Sequence, residues 1–250
     1  MSFPTTISGS YGWEKQQTSD QRHKLGTEMA FTDGRKFRYV ENGGSAITEG
    51  LLVASEAPAG NHDEDLTITT SPSAGDTTIG ITLGSTAAAK NLYAEGYLFL
   101  NVPILGTSAN PHEMYKIKSH AAVASAGTGT FTIDEQDGFV TAITAGTETA
   151  GLIKSPYKDI VVAPAAVAGR FAGVTTMSMT ADYFGWIQVA GMATVAMDGA
   201  PAVGTLVGAS SNHAGQFLAV GADTTPAIAR VHGKAGVDNE YHTVMLMNLY

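Results

Sequence analysis

LGTEMAFTDGRKFRYV, residues Leu25–Val40, is followed at once by Glu41, Asn42, Gly43 and Gly44. Thr27, Met29 and Phe31 alternate with Glu28, Ala30 and Thr32. Asp33-Gly34 then offers a turn that tolerates positive φ, and Lys36 to Val40 alternates back. This pattern predicts a short β-hairpin. Arg35, Lys36 and Arg38 crowd together in a chain that is otherwise acidic and poor in charge. Just upstream lies a polar arm, residues 1–24, carrying Pro4, Gly9, Tyr11 and Trp13 and no sustained periodicity. An arm and a hairpin hold little core of their own, which predicts that they find their partner on another chain.

Downstream of the Gly43-Gly44 break the chain reads as short strands. LLVAS (51–55), LTITTS (66–71) and TTIGITLG (77–84) follow period two and are divided by Pro58, Gly60, Pro72 and Gly75. YLFLNV (97–102) and YKIKS (115–119) continue the series, and residues 128–133 and 139–143 read as a hairpin. Residues 85–93, STAAAKNLY, are the best candidate for a short helix, with Thr86 as a cap. Pro156, Pro164 and the Ala-rich run to Gly169 interrupt the pattern and place a boundary between Pro156 and Gly173. Strands then resume with VTTMSM (174–179), FGWIQVAG (184–191), ATVAM (193–197), TLVGA, QFLAV, IARVH and TVMLMNLY. ITEGLLV, YAEGYLFL and AVGTLVG each put Gly before an apolar strand, read as a positive-φ turn. The expectation is an all-β protein of short antiparallel strands in one or two sandwich- or barrel-like domains. Its parts would be an arm and hairpin over 1–45, a central β domain over 46–165 and a C-terminal β domain over 166–250.

Composition agrees with that class. Hydrophobic residues make up 44% and charged residues 15%, the latter well below the roughly 25% of ordinary soluble domains. A surface this poor in charge is expected to be covered in part by partners. The net charge of −9 is uneven: residues 1–42 carry six basic and five acidic side chains, so the acidic excess lies in the rest. An acidic body argues against nucleic acid, whose phosphates need a basic face. With no cysteine, disulfides, thiolate chemistry and sulfur-bound zinc are excluded. No signal peptide is visible at the N-terminus. The longest apolar stretch, Ile160–Ala168, is broken by Pro164 and falls short of the ~20 residues of a membrane helix.

Chemical motifs are weak. Asn61-His62-Asp63-Glu64-Asp65 is the densest set of oxygen ligands, but it lacks EF-hand spacing, and adjacent residues on a strand point apart. His112-Glu113 opens like a zincin motif without the second His. No nucleophile elbow, phosphate loop or dinucleotide fingerprint occurs. Carboxylate pairs for glycoside hydrolysis meet in space and are left open by sequence. Trp186 reads as a core or an interface residue, with core favoured. Trp13 has no local core, and an interfacial anchor is favoured there. No cofactor and no metal are expected, and the reading is non-enzymatic.

The stretch LGTEMAFTDGRKFRYVENGGSAITEGLLV, then Tyr93–Leu98, Tyr115–His120, Lys154–Tyr157 and Tyr183–Gln188, resemble in their order a widespread group of tailed-phage virion proteins, the head decoration or cement proteins. Residues 101–111 depart from that pattern in being more apolar. The resemblance implies a β-rich, usually trimeric protein on the outside of the expanded capsid. It would bridge major capsid subunits and be assembled in the host bacterial cytoplasm. It implies no catalytic residues; no nucleic acid and no membrane are expected as partners on the charge and the apolar stretches given above. In that setting Trp13, Arg22, Arg35, Arg38 and Tyr39 are the expected contacts to capsid or to a neighbouring subunit. The alternative is a head-fibre or receptor-binding module that recognises host-surface glycans.

Overall fold

A computed structural model describes residues 6–101, 113–165, 170–221, 226–247 and 249. The apolar segment noted above and His112 lie almost wholly outside them. The protein is all-β, with seventeen strands and one 3-10 turn (Trp13–Lys15) among the described residues. Two compact units are present. Ala57–Ser155 form one, and Met1–Glu56 with Pro156–Tyr250 form the other.

In chain order the strands are β1 (Thr6–Ser8), β2 (Glu28–Ala30), β3 (Lys36–Glu41) and β4 (Leu52–Ala54), then β5 (Leu66–Ile68), β6 (Thr78–Thr82), β7 (Tyr97–Asn101), β8 (Met114–His120), β9 (Thr128–Ile133) and β10 (Thr149–Ile153). They continue as β11 (Val161–Val162), β12 (Phe171–Thr175), β13 (Phe184–Ala196), β14 (Leu206–Ala209), β15 (Phe217–Ala219), β16 (Ala229–Val231) and β17 (Tyr241–Leu246). The discontinuous unit is one sheet in the order β1-β2-β3-β13-β17-β16-β14-β15, with β12 on β13 and β4, and β11 on β4.

The hairpin forms with Met29 opposite Phe37 and Glu28 opposite Arg38, and Gly34 takes φ +88° at its turn. Alternation puts Met29, Phe37 and Tyr39 into one buried cluster with Leu25 and Trp186. Trp186 is therefore a core residue. The hairpin's partner is on its own chain: β3 pairs with β13 from Phe184↔Glu41 to Ala190↔Lys36. The arm also stays on this unit. β1 runs parallel to β2, and Thr18 bridges to Phe184. The hairpin is thus not a separate part, since Trp186 completes its core, while the strands after 166 close a core of their own with Leu52, Ala54 and Ala163. The physical reason is that one apolar hairpin face needs cover, and Trp186 with its strand supplies it.

The second unit is a closed six-stranded barrel, β10-β5-β6-β9-β8-β7, with β10 paired to both β5 and β7. Its core includes Ile79, Ile81, Leu98, Ile117, Phe131 and Leu152. Three polar side chains sit in the same interior: His62, Tyr93 and His120 are all buried. His62 Nε2 lies 2.8 Å from the Thr86 carbonyl, so it carries the proton, and Nδ1 accepts from the Tyr93 hydroxyl. His120 Nε2 accepts from the Tyr93 backbone N–H at 3.1 Å, and its Nδ1 donates to the Ala121 carbonyl. Burial, reinforced by the nearby Asp63 charge, pushes the Tyr93 phenol upward.

These bonds explain one departure from expectation. Residues 85–93 form turns, with Ala88 bridged to Val123, because Tyr93 N–H is spent on His120 instead of a helical carbonyl. A second departure is at 139–143, which form no strand. Phe139 and Ile143 donate to the carbonyls of Asp76 and Pro72 and lie buried, while β9 pairs with β6 and β8. Of the three glycines read as positive-φ turns, Gly50 (φ +73°) and Gly204 (φ +85°) are so. At the third, the preceding Glu95 adopts φ +60° in place of Gly96.

Candidate functional site

The five residues expected at an interface part company in the structure. Trp13 stands on the 3-10 turn of the arm and is 45% exposed. Arg22 is exposed, and its backbone N–H donates to the Tyr39 hydroxyl at 3.0 Å. Tyr39 itself is only 3% exposed, ringed by His23, Trp186 and Phe184 at centroid distances of 5.1, 5.0 and 6.1 Å. It is a core residue that pins the arm, and it has no surface to offer a partner. Arg38 is half-buried on the face of β3 opposite Tyr39, and its guanidinium is engaged within the chain: Nη1 donates to the Gly26 carbonyl at 2.9 Å and Nη2 lies 3.2 Å from Glu28 Oε2. On a strand with one face in the core, a long cation beside Glu28 is held by cross-strand pairing.

Arg35 is different. Its guanidinium lies over the Phe31 ring at 4.8 Å, and its Nε donates to Asp33 Oδ2 at 2.7 Å. The Arg35 backbone N–H, together with that guanidinium, holds the Asp33 carboxyl below the ordinary range. Stacking and the Asp33 bond fix the plane of the guanidinium. Its Nη1 then faces Glu14 Oε1 at 3.9 Å.

Glu14 belongs to the same 3-10 turn as Trp13 and is 1% exposed. Its Oε2 accepts from Gly12 N–H at 2.7 Å, and its Oε1 has no hydrogen bond. The Arg35 charge is the partner that offsets the burial of this oxygen. The Glu14 carbonyl accepts from the Thr176 hydroxyl at 2.9 Å, which ties the turn to the sheet. Above this pair is a cavity of about 470 Å³, lined among others by Tyr11, Glu14, Lys15, Arg35, Gln188 and Tyr241. Tyr11 is 78% exposed and Tyr241 51%. The Tyr241 ring packs where a Gly50 side chain would stand, since a Cβ there would come within 2.5 Å of it. Its hydroxyl donates to the Glu49 carbonyl at 3.3 Å.

Of the sequence-nominated residues only Arg35 lines this cavity. Glu14, Gln188 and Tyr241 come from three distant segments and carry no local motif. The one sequence sign was Gly50, whose missing side chain makes room for Tyr241.

A second feature lies across the same sheet. Met192, Met245, Arg230 and Leu206 are directly opposed in turn on β13, β17, β16 and β14, and all four are exposed. They form a cross-strand row with Met and Arg side chains on the solvent face.

Other groupings of reactive residue types do not build a site. Asp198, Ser210 and His213 cluster, but the buried Ser210 hydroxyl donates to Asp198 and accepts the N–H groups of Asn212 and His213 at 2.9 and 3.0 Å. His213 Nδ1 lies 3.4 Å from that same carboxylate, so no imidazole is presented to the hydroxyl as base. In the Asn61–Asp65 stretch, His62 points into the barrel core. Among the described residues no group of three or more His, Asp or Glu could hold a metal ion. No described helix is long and apolar enough to cross a membrane. No protein-family model, curated protein or solved structure matches the chain.

Proposed function

We propose that this chain is a tailed-phage head decoration protein that binds the outside of the expanded capsid and bridges major capsid subunits, as a homotrimer. The observation that carries the reading is the row Met192–Met245–Arg230–Leu206, an exposed apolar stripe with one cation on a sheet of a charge-poor chain. Met and Arg are enriched where protein surfaces meet, and Lys and Glu are depleted. The ordered resemblance to cement proteins along most of the sequence supports the same assignment. The arm and hairpin serve this surface indirectly, by completing the sheet that presents it. Three copies on one assembly would multiply weak contacts, so modest individual affinities suffice for firm attachment. Tying neighbouring subunits together would then resist the outward pressure of packaged DNA.

The test is co-sedimentation of the full chain with expanded and unexpanded capsids of its source phage, beside the double variant Leu206→Asp/Met245→Asp. Saturable binding to expanded shells, weakened at least tenfold in a variant that melts like the parent, is the expected result. Binding to neither shell would remove the proposal. Deleting residues 1–44 is the wrong probe, because it removes Met29, Phe37 and Tyr39 from the core.

A further inference from the structure

We infer that the outer wall of the barrel formed by β10, β7 and β8 is a docking surface for a protein that presents carboxylates around an apolar centre. The inference rests on the capsid reading proposed above, under which that partner is a major capsid subunit.

Strand register builds the wall. Ile153, Tyr97 and Lys116 stand directly opposite one another across β10, β7 and β8, and so do Gly151, Phe99 and Met114. Both rows point outward, because the residues that alternate with them, Leu98, Tyr115, Ile117 and Leu152 among them, fill the core. A side chain on Gly151 would come within 2.2 Å of the Phe99 ring, so the ring lies across that glycine, flat against the wall. Met114 is 60% exposed and Ile153 45%. Val140, 75% exposed, stands at the Met114 end, where its N–H donates to the Tyr115 hydroxyl at 3.0 Å. These three are the large apolar side chains that the described barrel residues expose.

The far wall is the contrast. β6 lies three strands from β7 in either direction round the ring. Outward there, β6 and its neighbours β5 and β9 carry Thr78, Thr82, Thr67, Thr128 and Thr130. One closed barrel therefore has a hydroxyl wall suited to water and an apolar wall that is not. The core does not demand the difference, since both walls pack inward on the same cluster. Apolar side chains gathered on one outer face mark a contact surface. A fixed aromatic ring and an exposed Met at its centre are the residue types enriched in protein contacts.

Charge gives the partner's chemistry. The outer row of β8 runs from Met114 through Lys116 to Lys118. These are two of the four lysines in residues 57–155, a stretch with no Arg and ten Asp or Glu. The acids at this end are engaged within the barrel. Glu113 accepts from the Tyr115 and Thr141 hydroxyls, and Glu135 Oε1 accepts from the Lys116 N–H at 3.0 Å. Carboxylates that complement the two ammonium groups then come from the partner. Two lysines on an acidic unit are too few for the phosphates of nucleic acid. With the row Met192–Met245–Arg230–Leu206 on the discontinuous unit, each unit has one contact surface, which lets a single chain hold two capsid subunits.

The experiment is co-sedimentation of the full chain with expanded capsids of its source phage. It compares the parent with Met114→Asp/Ile153→Asp, Lys116→Glu/Lys118→Glu and, on the far wall, Thr78→Asp/Thr128→Asp. Sedimentation velocity and thermal melts are run beside it. The first two variants should each bind at least tenfold more weakly while keeping the parent's oligomeric state and melting. The threonine variant should stay within about twofold of the parent. The lysine variant alters no apolar side chain, so it carries the test if the Asp pair fails to fold. Unchanged binding by either of the first two, where the parent binds and Leu206→Asp/Met245→Asp does not, overturns the inference and leaves the capsid reading standing. A parent that binds no shell overturns both. A fall to a smaller oligomer in either of the first two variants would show that a second copy covers the wall, and the inference fails.

Discussion

Arg38 and Tyr39 are neighbours that alternation sends to opposite faces of β3, and neither ends as a free surface contact. Sequence shows which residues are charged or aromatic. It does not show which are already bonded by residues far away, such as Phe184 and Trp186 around Tyr39. The same limit hid Glu14, a carboxylate in a polar arm that gives no sign of burial until the sheet beneath it is known. Asp198 is a residue whose surroundings can be read out by titration. The Ser210 hydroxyl first, then Asn212 and His213, hold its carboxyl below the ordinary range against the opposing effect of burial. With the folded value lower than the unfolded one, the unfolded chain binds more protons between the two. The stabilisation is therefore complete above about pH 4 and is lost as pH falls through the folded value. Urea unfolding of the parent and of Asp198→Asn should show the parent's advantage at about pH 5 and its shrinkage as the solution is acidified below about pH 4. A gap that stays constant across that interval would contradict the assignment.

Among the elements, β13 organises its unit. Its first half lies between β3 and β12, and its second half pairs with β17. The sequence divides it into FGWIQVAG and ATVAM at Gly191, and the break has a physical basis. A bulge falls between Gln188 and Ala190, and Gly191 takes φ +87° where the strand changes partner. A side chain at Gly191 would also meet the hairpin turn, with Cβ 2.9 Å from Arg35 Cα and 3.0 Å from the Gly34 carbonyl oxygen. Both are backbone atoms that cannot rotate away. Gly191→Ala is expected to cost about 1–3 kcal/mol, read as a lower urea midpoint with an unchanged slope. A loss below about 0.5 kcal/mol, the scale of an ordinary surface change, would show that the turn yields freely. Most strands were legible from period two. Misread were 85–93, expected as a helix, 139–143, expected as a strand, and 176–179, expected to continue the strand that ends at Thr175; their backbone bonds go to partners that no local pattern names.

At the scale of the whole molecule the all-β class was legible, whereas the units divide at Glu56/Ala57 and Ser155/Pro156 and not at 45/46 and 165/166. The joining of residues before 57 with those after 155 was not legible, because it rests on pairings across more than a hundred residues, Tyr39 with Trp186 among them. The chain leaves the discontinuous unit after β4 and returns at β11, and these two strands are antiparallel neighbours, Ala54 opposite Val161 and Val53 opposite Val162. The Ser55 hydroxyl donates to the Pro156 carbonyl at 2.8 Å. Such close ends mark a domain insertion. Replacing residues 57–155 by a short Gly-Ser linker should leave a protein that folds cooperatively, and residues 57–155 alone should give a folded β barrel. Loss of cooperative melting in the first product would show that the unit depends on its insert. This juncture also decides where tension travels. Pulled by its two ends, the chain is loaded first through β3, β13 and β17, which pair in that order, and the load reaches β4 and β11, the strands that flank the insert, only afterwards. The barrel carries no force until Val53 and Val162 have parted. In single-molecule stretching the barrel's length should be released last, behind a sheet that works as its fuse.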